Sequence, residues 1–95
     1  MAAYFIVDVN VEDPITYEEY RKLVAPTLEI YGGKFLARGG VTETIEGDWQ
    51  AQRLVILEFV DTEQFRRWYD SPEYSAAREI RFSASHARAV LVQGV

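Results

Sequence analysis

Residues 3 to 11 read Ala3-Tyr4-Phe5-Ile6-Val7-Asp8-Val9-Asn10-Val11. Successive side chains of a strand point to opposite faces, so this run predicts a strand with Phe5, Val7, Val9 and Val11 on one side and Tyr4, Ile6, Asp8 and Asn10 on the other. Both sides carry large apolar groups. Such a strand lies inside its sheet and is covered on both faces. The rest of the chain must supply one cover or two.

Downstream, Asp13-Pro14 predicts a helix start, with Asp13 as cap and Pro14 at the first position, where its missing N–H costs nothing. Tyr17, Tyr20, Val24, Leu28 and Tyr31 recur at helical steps and make one apolar stripe. Pro26 removes a backbone bond and is expected to bend the helix. Gly32-Gly33 ends it. Lys34 to Arg38 reads as a second strand, broken or bulged at Gly39-Gly40. Val41 to Gln52 is a polar excursion with a turn signal at Glu46-Gly47-Asp48. A third strand runs from Arg53 to Val60. Asp61 and Gln64 are spaced as a capping box for a second helix, which buries Phe65, Trp68 and Tyr69. Ser71-Pro72 restarts a helix to Ser83, and Ala87 to Gln93 is the last strand. The order is βαββαβ in one α+β domain, residues 1–95. Two such split units make a four-stranded antiparallel sheet with both helices on one face.

Composition narrows the function classes. The net charge of −5 supplies no basic face for a phosphate backbone, so no nucleic-acid partner is expected. With no cysteine, thiolate metal sites, disulfides and cysteine nucleophiles are excluded. No metal or cofactor is expected: one histidine and no calcium-loop spacing offer no ligand set. The first residues lack a basic leader, and no run reaches the roughly 20 apolar residues of a membrane span. A cytoplasmic protein without a membrane partner is the expectation.

The second and third strands are expected to pair with Leu36 opposite Ile56, Lys34 opposite Glu58 and Arg38 opposite Leu54 on one face. Phe35 then meets Leu57, and Ala37 meets Val55, on the other. The second set joins Phe5, Val7 and Val9 beneath the helices. The first set has no helix to cover it. Left bare, Tyr4, Ile6, Leu36, Leu54 and Ile56 would form a patch of several hundred Å², larger than a monomer usually leaves exposed. A homodimer through the face carrying Leu36, Leu54 and Ile56 is therefore expected.

Tyr31-Gly32-Gly33-Lys34-Phe35, Arg38-Gly39-Gly40, Glu46-Gly47-Asp48-Trp49, Arg53, Glu58-Phe59 and Trp68-Tyr69-Asp70-Ser71-Pro72-Glu73-Tyr74 span almost the whole chain. Their combination resembles the dimeric α+β barrel superfamily of ferredoxin-like proteins. Within it, the chain resembles the bacterial domain-of-unknown-function family numbered 1330. The resemblance implies two sheets packed face to face. The superfamily includes cofactor-independent monooxygenases, muconolactone-type isomerases, haem-handling proteins and ligand domains of transcription factors, and the fold does not choose among them.

The chemistry-bearing residues leave two functional readings open. Tyr20, Arg38, Trp68 and Tyr69 are candidate ligand-binding residues of a helix–sheet cavity for a small, partly apolar or aromatic ligand. The same aromatics, with Tyr17, Tyr31 and Tyr74, also suit plain core packing. In the first reading the protein binds such a ligand without catalysis. In the alternative it is a cofactor-independent monooxygenase or isomerase of an enolisable aromatic or lactone. Arg38 would then steady an oxyanion, and Tyr69 or His86 would relay a proton. Arg38, Arg53, Arg78 and Arg81 could bind a carboxylate or enolate, or pair with Asp8, Glu46 and Glu58. Asp8 and Glu58 suit either an acid–base pair or a dimer seam. His86 suits a base or an exposed strand start. Trp49 and its excursion suit a lid or, as the preferred reading, an arm reaching across a dimer.

Overall fold

A computed structural model describes residues 1–95. β1 spans Ala3–Val11, α1 Pro14–Tyr31, β2 Lys34–Arg38, β3 Leu54–Phe59, α2 Thr62–Tyr69, α3 Pro72–Ala84 and β4 Ser85–Gln93. The expected βαββαβ order holds, with the second helical stretch divided at Asp70-Ser71. All pairings are antiparallel and the sheet order is β2-β3-β1-β4, which places β1 and β3 inside. The last strand begins two residues earlier than expected, directly after α3.

The helix ends follow from local chemistry. Asp13 accepts from the Thr16 N–H at 3.2 Å and from its hydroxyl at 2.7 Å. α1 continues through Pro26 and stops at Gly32, whose φ of 74° is the left-handed conformation glycine adopts without strain. Asp61 accepts from the Gln64 N–H at 2.7 Å, but the capping box is only half made. Instead of returning to Asp61, the Gln64 side-chain amide donates to the Tyr31 carbonyl at 2.7 Å, tying the start of α2 to the end of α1. The Ser71 hydroxyl accepts from the Tyr74 N–H and donates to the Trp68 carbonyl, which sets the turn between α2 and α3.

The core lies between the helices and one face of the sheet. Phe5, Val7 and Val9 of β1 and Val55, Leu57 and Phe59 of β3 meet Tyr17, Tyr20, Val24 and Leu28 of α1, Phe65 and Trp68 of α2, and Tyr74 and Ala77 of α3. Trp68 is fully buried and stacks on Tyr74 with ring centroids 3.9 Å apart. Its indole N–H donates to the Thr27 hydroxyl at 3.0 Å, and that hydroxyl donates to the Val24 carbonyl at 2.7 Å. The buried donor is thus satisfied, as an indole in a core requires.

The β2–β3 register departs from expectation after two pairs. Lys34 opposes Glu58 and Phe35 opposes Leu57 as expected, but Ala37 opposes Ile56 and Arg38 opposes Val55. Leu36 is the extra residue of a bulge. Because strand side chains alternate, this one-residue slip carries Arg38 from the open face to the helix face.

No helix roofs the other face. Leu36, Val90 and Val92 are 51%, 61% and 46% exposed there, beside the half-buried Tyr4, Ile6, Leu54 and Ile56. The end of the Val41–Gln52 excursion returns to this face of its own chain. The Trp49 indole donates to Asp8 Oδ2 at 2.9 Å, and the Gln52 and Arg53 N–H groups reach Asp8 Oδ1 at 2.9 and 3.3 Å. Arg88 Nη2 lies 3.8 Å from Asp8 Oδ2. Burial pushes the Asp8 carboxyl up, but the bonds from Trp49, Gln52 and Arg53 and the Arg88 charge outweigh it and hold its pKa below the ordinary value.

Two outcomes are expected from this packing. Trp68→Ala should lose about 3–5 kcal/mol of stability, the usual cost of an aromatic core truncation, in denaturant titrations at fixed protein concentration. A loss below about 1 kcal/mol would show that the stack on Tyr74 is not structural. Asp8 contributes stability above its unfolded value of about 3.9 and loses it as pH falls through the lowered folded value. Thermal midpoints should therefore fall more steeply below about pH 4 in the wild type than in Asp8→Asn. Parallel curves would remove Asp8 from the account.

Candidate functional site

The bulge at Leu36 and the stripe of α1 bring the candidate polar residues to one place. Beneath α1, a narrow crevice runs between the helices and the sheet, with a void of about 20 Å³. Val7, Val9, Val24, Phe35 and Val55 are among its apolar walls, and Tyr17 and Tyr20 line it from α1. Four arginines reach it: Arg21 from α1, Arg38 from the end of β2, Arg53 from the residue before β3, and Arg81 from α3.

Each guanidinium is held by identifiable contacts. Arg38 lies over the Phe35 ring at 4.3 Å and donates from Nη2 to the Arg21 carbonyl at 3.0 Å, a strap from β2 to α1 across the mouth. Arg53 passes over Tyr17 at 5.7 Å and against Gly39. Gly39 has a φ of 70°, and a side-chain carbon there would land on the Arg53 guanidinium. The close approach expected of Gly39-Gly40 is thus made by Arg53. Arg81 is only 4% exposed, in the buried stripe Tyr74, Ala77, Arg81, Ala84 of α3. Arg21 pairs with Glu18 at 3.0 Å on the surface.

Phenols complete the crevice. The Tyr20 and Tyr74 hydroxyls share a hydrogen bond of 2.9 Å. Burial pushes the Tyr20 phenol well above its ordinary pKa, reinforced by Tyr74 beside it. Burial raises Tyr74 as well, against the pull of Arg81. Both hydroxyls therefore stay protonated at neutral pH and can donate.

Tyr20 and Arg38, two of the expected ligand-binding residues, line this crevice together. Trp68 and Tyr69 do not. Trp68 is enclosed in the core. Tyr69 is half-buried, stacks on Phe65, and lies under the Arg78 guanidinium at 4.5 Å. Arg78 itself donates to the Tyr69 carbonyl at 2.7 Å and stands 3.8 Å from Asp70, so its acid is a neighbour on the helix turn and none of the expected Asp8, Glu46 and Glu58. His86 points away on the open face, its side chain 80% exposed and 3.2 Å from Glu12. Asp8 faces Leu54 and Glu58 faces Tyr4, four pairs apart along the ladder, or about 13 Å. That spacing excludes a joint acid–base pair. Glu58 instead pairs with Lys34 at 2.9 Å, as the hairpin register implies.

The sequence reading did not single out Arg21, and it named Arg81 only within a group of arginines. The signal for Arg81 was present: its spacing from Tyr74 and Ala77 sets it on the buried side of its helix. For Arg21 it was the four-residue step from Tyr17, at the margin of the apolar stripe.

A second concavity of about 600 Å³ lies on the open sheet face, walled by Ile6, Asp8, Trp49, Leu54, Arg88 and Val90 among others. It is broad and open to solvent, not an enclosed cavity.

Comparison with known proteins agrees with this architecture. A protein of unknown function from Rhodopseudomonas palustris superposes with a TM-score of 0.80 at 18% identity, over 99% of this chain and 82% of that one. A dimeric ferredoxin-like protein of unknown function from Thermobifida fusca gives 0.62 at 17% identity, covering 99% and 92%. SnoaB, a cofactor-independent oxygenase from Streptomyces nogalater, gives 0.59 at 15% identity, covering 99% and 93%. At such identities the likeness is one of fold, the ferredoxin-like arrangement of helices on one side of a four-stranded sheet. No curated protein matches the chain. The family model for a domain of unknown function, DUF1330, matches residues 2–95, and the chain belongs to that family.

Proposed function

We propose that the protein is a homodimer that binds a small, partly apolar ligand in the crevice beneath α1, without turning it over. The observation that carries the ligand reading is the convergence of Tyr20, Arg38, Arg53 and Arg81 on one apolar-walled crevice; its void of about 20 Å³ is well short of the roughly 300 Å³ of a preformed small-molecule site, so the reading requires the crevice to open on binding. Trp68 and Tyr69 serve it at one remove. Their rings pack on Tyr74, which in turn bonds Tyr20.

The dimer reading is supported by the unroofed face. Leu36, Leu54, Ile56, Val90 and Val92 form an apolar surface that a second copy would cover, sheet against sheet, as in a dimeric α+β barrel. Structural neighbours from Bacteroides fragilis and Thermobifida fusca are described as dimeric.

The alternative, oxygenation or isomerisation of an enolisable aromatic or lactone, needs a base to form the enolate. The crevice is lined by guanidiniums and phenols and has neither a carboxylate nor an imidazole. His86 lies on the other face of the sheet. Binding without proton abstraction fits those groups better.

Light scattering at micromolar concentration should give about twice the 10.9 kDa of one chain, and Ile56→Asp should reduce it to one. A wild-type mass of a single chain would overturn the dimer. A thermal-shift screen of aromatic acids, lactones and quinones should yield binders, and saturation at about 100 times Kd raises Tm on the order of 10 °C for a domain this size. At the same ligand concentration Arg38→Ala should cut the shift by about half, the effect of a roughly tenfold weaker Kd. Failure of the whole panel would remove the crevice as a binding site.

A further inference from the structure

From the unpaired guanidiniums, we propose that the crevice ligand is a carboxylate with a flat or branched apolar body, its two oxygens gripped by Arg38, Arg53 and Arg81. The inference rests on the crevice being a binding site and adds the chemical class.

Of the ion pairs in the fold, none involves Arg38, Arg53 or Arg81. The Nε groups of Arg53 and Arg81 are buried with no hydrogen-bond partner. Arg81 is more than nine-tenths buried, and a guanidinium does not escape its charge by losing a proton. Acids are not scarce: the chain has 15 Asp and Glu against 10 Lys and Arg. Their absence here is local: Arg81 is buried, Arg53 half-buried and Arg38 exposed at the mouth, and no acid stands among them in a protein of negative net charge. A buried cation without a counter-charge destabilises a fold unless something supplies one. An anion in the crevice would supply it.

Shape and lining choose among anions. Guanidinium forks match the planar pair of carboxylate oxygens through two parallel hydrogen bonds. The Tyr20 hydroxyl lines the same crevice and is bonded to that of Tyr74, so the pair adds at most one free neutral donor. The walls next to these groups are Val7, Val9, Val24, Phe35 and Val55, which favour an apolar body over a sugar or a polyphosphate. The void of about 20 Å³ holds little more than one water, so the ligand must displace a group to enter. Arg38 is that group. It is exposed and strapped to the Arg21 carbonyl by a single bond, and a carboxylate competes for the same guanidinium. On binding, Arg38 exchanges a backbone acceptor for a charged one.

The test uses matched pairs on the intact protein: benzoate against benzamide, isovalerate against isovaleramide, and phenyl phosphate as the tetrahedral control. Titration calorimetry at neutral pH and low salt should show benzoate or isovalerate binding at least about tenfold more tightly than its amide, the usual worth of a hydrogen-bonded charge. Arg53→Gln and, at the exposed mouth, Arg38→Gln should each weaken the carboxylate about tenfold while leaving the mass by light scattering unchanged. Arg53→Lys should recover only part of the loss, because an ammonium lacks the fork. Amides that bind as tightly as acids, phenyl phosphate that outcompetes benzoate, or indifference to both arginine substitutions would overturn the proposal. Should lactones or quinones bind where no carboxylate does, this inference falls and the crevice reading stands. If nothing binds, both fall.

Discussion

Three helices cover one side of a four-stranded sheet and leave the other side bare. The inner strands are apolar on both sides, so the chain folds with half of its sheet finished and half awaiting a cover. On the finished side, Phe5, Phe59, Phe65, Trp68 and Tyr74 pack ring against ring, with the Trp68 indole satisfied by Thr27. On the bare side, aliphatic side chains sit beside a well-bonded carboxylate, Asp8, which draws the Val41–Gln52 excursion back across 41 residues of chain to its indole contact. The two faces therefore do different work. One stabilises the chain and holds the crevice, and the other is the face we propose a second copy covers.

The placement of charge follows from one irregularity. The bulge at Leu36 turns Arg38 toward the helices, where Arg53 and Arg81 already lie. Without the slip, Arg38 would flank the open face beside Leu54 and the crevice would lose its strap. Gly39 then makes the second adjustment by leaving room for the Arg53 guanidinium against the backbone. A bulge and a glycine, three residues apart in sequence, thus assemble a cationic end for an otherwise oily slot. Bulges often re-aim side chains in this way near functional sites.

Much of the architecture was legible in the sequence because it rests on local signals. The alternation of β1, the caps Asp13, Asp61 and Ser71, the left-handed stop at Gly32 and the pairing of Lys34 with Glu58 are each readable from a few neighbouring residues. The bulge was not. Leu36 and Ala37 are both apolar, neither marks an irregularity, and the glycines that signal a break come two residues later. The half-made capping box has a similar cause: the Gln64 side chain, instead of accepting from the Asp61 N–H, donates to the Tyr31 carbonyl, 33 residues away. The site was the least legible part. Tyr20 and Arg38 line one crevice, whereas Trp68 is drawn wholly into the core by stacking that no spacing rule reveals. Which arginines would meet acids is a property of tertiary position alone. Arg78 meets Asp70, and Arg53 and Arg81 meet none.

The central claim is that the bare sheet face is shielded in solution by a twin chain. Hydroxyl-radical footprinting read by mass spectrometry tests it side chain by side chain. Leu36 and Val90 should be labelled far less than their 51% and 61% exposure in one chain would allow, while Ile15, 83% exposed on α1, serves as the unshielded reference. Labelling of Leu36 and Val90 in proportion to those single-chain exposures would contradict the account.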